Sequence, residues 1–176
     1  MPIIFIGGQR KAGTSMFLNL FDGHPDLLVY PIDITIFYAY YPEYIKSSYS
    51  DKQRLARLKR VIFDELREYE NVSFTLNIDK FSSIFFNKID GHDLTNIGMI
   101  LSILLNSFQE CMETSNKKYF VVKETSLEIY ANELFEYFPD SRFLHLIRDP
   151  RDNYAAIRAG VKRYSEFGDD EMSLLH

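Results

Sequence analysis

Apolar residues run unbroken from Pro2 to Ile6 and end on Gly7 and Gly8. A short continuous run closed by glycine predicts a strand buried on both faces. From Thr14 to Phe21 the pattern changes: Met16, Phe17, Leu20 and Phe21 recur at helical spacing. The cluster Asp22-Gly23-His24-Pro25-Asp26 predicts a turn, with His24 organising it. Leu27 to Pro31 then predicts a second short strand, stopped by its proline. Residues 32–118 are mainly helical in pattern. The clearest helix is 51–70, where Leu55, Leu58, Ile62, Leu66 and Tyr69 fall on one face and charged residues on the other. Residues 94–113 predict a more deeply buried helix and 79–89 a short one. A third strand is predicted at 119–125, a helix at 127–138 and a fourth strand at 142–150. The last helix runs from Pro150 to Arg163, with Asp149 as its N-cap. Strands alternating with helices predict an α/β fold, a parallel sheet covered on both faces. The chain reads as one domain over 1–176 with a helical insert at 32–118.

Composition narrows the class. The chain has 176 residues, 46% hydrophobic and 26% charged, enough apolar material for a packed core and against disorder. A formal net charge of -5 argues against broad nucleic-acid binding. Cys111 is the only cysteine, which excludes an internal disulfide and points to a reducing compartment. The first apolar run is too short, and lacks the basic region, for a secretory signal. No run approaches the roughly 20 apolar residues of a membrane span. A cytoplasmic protein with no membrane and no nucleic-acid partner is expected.

The chemistry starts at "GGQRKAGTS", Gly7 to Ser15. From Gly8 it reads as a phosphate-binding loop between a strand and a helix, where free N–H groups and the helix dipole favour an anion. A nucleotide-hydrolase loop places lysine after its second glycine. Here Thr14 and Ser15 follow Gly13, and the lysine is Lys11, inside the loop. That placement suits one cradled phosphate carrying a transferable group. A magnesium-dependent small-molecule kinase would need lysine at position 14, so it is the weaker alternative.

The stretch Lys11-Ala12-Gly13-Thr14-Ser15, with "LFDGHPDLLVYP" after it, resembles the first motif of sulfotransferases that use 3'-phosphoadenosine 5'-phosphosulfate, bacterial and tyrosylprotein-type members in particular. Ala12 stands where serine is usual. "FPDSRFLHLIRDPRDNYAAIRAG" resembles their second motif. The resemblance covers about 1–31 and 119–163. It implies a three-layer, phosphate-loop-like fold with strand order 2-3-1-4, and in longer members a fifth strand. The chain therefore reads as a short member or as a C-terminally truncated piece.

The resemblance also implies roles. Arg10, Lys11, Ala12, Gly13, Thr14 and Ser15 form the donor's 5'-phosphate loop, with Lys11 catalytic at the bridging oxygen. Arg148 takes the 3'-phosphate. Eight residues on, where the family has serine, stands Ala156, and Asn153 is the substitute hydrogen-bonding candidate. Asp33, after the second strand, is the first candidate for general base, the alternative being a helix cap. His92 is the second. No metal is required. The acceptor is a small-molecule, saccharide or peptide hydroxyl, or an amine. A catalytically degenerate module that binds a nucleotide or sulfated ligand is the main rival. Lys123 or Glu124 faces the site or forms a strand-end ion pair. His145, between Leu144 and Leu146, is expected in the core. The tyrosines Tyr38, Tyr40, Tyr41, Tyr44 and Tyr49 are expected to pack the insert on the sheet. Oligomeric state stays open.

Overall fold

A computed structural model describes residues 1–41, 47–69 and 75–163. Four parallel strands form its sheet: β1 (Ile3–Gly8), β2 (Leu27–Asp33), β3 (Tyr119–Lys123) and β4 (Arg142–Leu146), in the order β2-β3-β1-β4. Helix α1 (Thr14–Asn19) follows β1 and α2 (Ile36–Ala39) follows β2. The insert carries α3 (Asp51–Leu58), a π-helical stretch (Lys59–Asp64), α4 (Glu65–Tyr69), α5 (Ile78–Ile89) and α6 (Ile97–Cys111). A 3₁₀ turn (Leu127–Tyr130) leads into α7 (Ala131–Tyr137), and α8 (Pro150–Arg163) follows β4. The fold is the expected α/β sheet with flanking helices and a helical insert.

Strand alternation divides the sheet into two faces. Ile3 and Phe5 of β1, Leu28 and Tyr30 of β2, and Phe120 and Val122 of β3 enter the larger core with the insert. That core is closed by Phe63, Phe81, Phe85 and Phe108, whose rings meet at centroid distances of 5.1 to 5.6 Å. Ile6 and Val121 point the other way, onto Leu18 of α1. The central strands β1 and β3 owe their apolar runs to this double burial.

Three differences from the expected pattern have physical causes. Strand β2 runs through Pro31 to Asp33. It lies at a sheet edge, where a missing N–H costs no ladder bond. The helix at 51–70 is interrupted by a π-helical stretch. Val61, Ile62 and Phe63 are consecutive and all buried, which one face of an ideal α-helix does not accommodate; the wider π turn does. His145 is exposed rather than in the core, because β4 is an edge strand among the described residues.

Helix starts follow side-chain caps. Asn77 Oδ1 accepts from Lys80 N at 2.9 Å, Asn96 Oδ1 from Met99 N at 2.9 Å, and Asp149 Oδ1 from Arg151 N at 2.9 Å. Two of the insert tyrosines pack as expected. Tyr40 is fully buried and donates to Leu94 O at 3.2 Å; Tyr41 meets Tyr130 edge-on at 5.4 Å. Tyr49 is exposed, and Tyr44 and the Tyr38 side chain lie outside the described residues.

Candidate active site

The glycine loop leaves β1 in a conformation few residues adopt. Gly8 has φ 148, and a Cβ there would lie 2.7 Å from the Leu146 carbonyl oxygen. Backbone cannot retreat as a flexible side chain does. Gly8→Ala is therefore expected to destabilise the fold by about 1–3 kcal/mol, read as a lowered denaturation midpoint. An unchanged midpoint would show that β4 yields at this position.

Beyond Gly8 the chain turns tightly. Ala12 N donates to Gln9 O at 2.9 Å, and Lys11 sits in the left-handed region at φ 66. Gly13 follows at φ 102, with nothing within 4 Å of the place a Cβ would occupy. Phe17 N donates to Gly13 O at 3.0 Å as the first helical bond. The first-turn N–H groups of α1 precede that bond and have no intrahelical acceptor. Two strand ends brace the loop. Ser126 N donates to Gly8 O at 3.0 Å, and Arg148 Nη1 donates to Lys11 O at 3.0 Å. The guanidinium of the second motif therefore reaches the loop of the first, 137 residues away in sequence, at the Lys11 main chain. Lys11, Arg148 and Ser15 are exposed, while Thr14 is buried.

Beside the loop lies a cavity of about 410 Å³ lined by Ser15, Asn19, Asp33, Glu65, Tyr69 and Lys123, with apolar neighbours. Its floor is a buried cation. Lys123 is only 4% exposed; its Nζ lies 2.7 Å from Asp33 Oδ1 and donates to Ser15 Oγ at 2.9 Å. A register irregularity between Val29 and Asp33 brings Asp33 opposite Lys123. So Asp33 does not cap a helix: it ends β2, and Thr35 precedes α2. Strand alternation sends Glu124 to the other face, where it is buried and Oε2 accepts from Phe37 N at 3.2 Å. Of the pair, Lys123 faces the cavity, and it does so as an ion-pair partner. Burial raises the Glu65 carboxyl above the usual glutamate range, helped by the charges of Asp33 and Glu68 and opposed by Lys123. A second cavity of about 290 Å³ shares Leu18, Asn19 and Pro31 with the first and continues to Phe108 and Met112.

The remaining candidates divide clearly. Arg10 is exposed and Ala12 half-buried in the loop. Asn153 on α8 is buried, with Oδ1 accepting no hydrogen bond from the described residues. Ala156, half-buried, lies one turn further along the same helix. His92 is exposed in the turn after α5, and no hydrogen bond or ion pair in the described residues joins it to the loop. His24 Nδ1 accepts from Asp26 N at 3.1 Å, a turn role as expected. Glu65 and Tyr69 had no place among the candidate site residues. Glu65 carried a readable signal: it lies three residues after Ile62 and four after Val61, inside the apolar stripe.

Among the described residues, no group of three His, Cys, Asp or Glu is placed to hold a metal ion. None of their helices is long and apolar enough to cross a membrane.

A family model described as "Sulfotransferase family" matches residues 2–175 of this chain. Among solved structures, the chain is similar to a crystal structure of sulfotransferase STF9 from Mycobacterium avium, at 18% identity and a TM-score of 0.46. That match covers 92% of this chain and 46% of the other, so this chain spans under half of that protein's length. No curated protein matches.

Proposed function

The chain belongs to the sulfotransferase family, and from that premise we propose that it moves a sulfuryl group from 3'-phosphoadenosine 5'-phosphosulfate to a hydroxyl or amine. The observation that carries this reading is the convergence at the loop. Arg148, from the second motif, donates to the carbonyl of Lys11, from the first.

The donor set fits the proposed co-substrate. The open space at Gly13 and the first-turn amides of α1 suit the 5'-phosphate, with the Thr14 and Ser15 hydroxyls as further donors. Lys11 stands at the loop mouth, where charge grows on the oxygen bridging sulfur and phosphorus. Arg148 is the cation for the 3'-phosphate. Asn153, whose buried Oδ1 accepts no hydrogen bond from the described residues, and Ala156 lie on the helix that follows. Sulfuryl transfer passes through a loose in-line transition state like that of phosphoryl transfer, so positioning and charge stabilisation supply most of the rate. Both Asp33 and Glu65 line the cavity beside the loop as candidates for the acceptor's proton.

One observation favours a second reading, ligand binding without transfer. Ala156 has no hydroxyl where the family's second motif has one. Incubation with sulfur-35-labelled donor and a panel of alcohols, phenols and amines separates the two. Labelled product matched by released adenosine 3',5'-bisphosphate is expected. Donor bound and recovered unchanged across the panel would favour the binding module.

A further inference from the structure

We propose that Glu65 is the group that takes the acceptor's proton, and that the acceptor is a hydroxyl seated in the cavity between Glu65 and Lys123. This inference rests on the transfer reading above.

The placement follows from the fold. Ser15 belongs both to the phosphate loop and to the cavity wall. A group leaving the loop on the Ser15 side therefore faces the cavity. Two carboxylates line that cavity. Asp33 is held by the Lys123 ammonium at 2.7 Å, and Lys123 in turn reaches Ser15. The chain Asp33–Lys123–Ser15 fixes the loop side of the cavity. Glu65 comes from the helical insert, on the first turn after the π-helical stretch. It is half-buried beside the buried Leu66, where ionisation costs more than at the open surface. The groups acting on it are Asp33 from β2, Lys123 from β3 and Glu68 from its own helix. Tyr30 of β2 also feels its charge. Burial and the two carboxylates raise its proton affinity against the pull of Lys123, which makes it a stronger base than an exposed glutamate.

The step balances within the site. The hydroxyl proton passes to the Glu65 carboxylate as the acceptor O–S bond forms. The S–O bond to the 5'-phosphate breaks, and its electron pair leaves on that phosphate, next to Lys11. Glu65 returns its proton to solvent after product leaves.

The sign of the pH dependence follows. A base must be ionised, so activity falls as pH drops through the raised Glu65 value, above the usual glutamate range. The same shift costs stability: as pH rises through that window the folded state loses the proton it holds more tightly, and stability falls.

Glu65→Gln is therefore expected to lower kcat by about 10²- to 10⁴-fold, to abolish the acid limb of the pH profile, and to raise Tm at neutral pH. Affinity for adenosine 3',5'-bisphosphate should stay unchanged. Asp33→Asn should keep the acid limb. If the limb survives in Glu65→Gln and vanishes in Asp33→Asn, Asp33 is the base and the proposal is overturned. Transfer by the unsubstituted chain with turnover of Glu65→Gln within about threefold of it overturns the role of Glu65 alone. Absence of transfer by the unsubstituted chain overturns this inference together with the reading beneath it.

Discussion

Lys11→Ala is expected to leave the chain folded and to lower turnover by about 10²- to 10³-fold, the usual consequence of removing one preorganised donor from a developing negative charge. The side chain is exposed, so its loss opens no core cavity. The backbone contributes separately: the Lys11 carbonyl accepts from Arg148, and an alanine keeps that carbonyl. The left-handed φ of 66 remains a small cost in both chains. Because charge on the bridging oxygen appears only as the bond breaks, kcat should fall far more than donor KM rises. Steady-state kinetics beside a thermal melt checks both halves. Equal turnover in the two chains removes Lys11 from the mechanism, and a collapsed melt shows a structural role instead.

Arg148→Ala is expected to weaken adenosine 3',5'-bisphosphate by about 10- to 150-fold, from the roughly 1.5–3 kcal/mol of hydrogen bonding to a charged group. Adenosine 5'-monophosphate, which lacks the 3'-phosphate, should bind nearly as before. The exposed guanidinium reaches the loop through Nη1, which donates to Lys11 O. The remaining donors of the planar fork are suited to phosphate oxygens in a way one ammonium is not. Arg148→Lys should therefore recover little of the loss. Calorimetric titration of both nucleotides into both chains measures the preference directly. If the unsubstituted chain binds the two equally, the 3'-phosphate role of Arg148 is wrong.

The fold was legible where burial on both faces writes itself as an unbroken apolar run. Ile3 to Ile6 and Phe120 to Val122 are such runs, and they are the two central strands. The alternation in "RFLHL" names a strand but not which of its faces is covered, so His145 is expected inside although the order 2-3-1-4 already puts this strand outermost. Among the described residues β4 is an edge strand, as that order has it, and His145 is exposed on it. The same edge position at β2 let Pro31 stay within a strand. The loop was legible because glycine spacing and a lysine make a local motif. The cavity was not, because its walls come from β2, β3, α1 and the insert. Lys123 and Asp33 are 90 positions apart in number and meet only through the β2–β3 register. Glu65 shows a third kind of limit: its place on the apolar stripe was visible, but the polar partners that give the place meaning were not.

The most direct test is a crystal structure of this chain with adenosine 3',5'-bisphosphate bound. The account predicts the 5'-phosphate against the amides of Gly13 to Ser15, the Lys11 ammonium turned over it, and the Arg148 guanidinium on the 3'-phosphate. A nucleotide seated elsewhere, or a 5'-phosphate at the loop with the Lys11 ammonium directed into solvent, would contradict it.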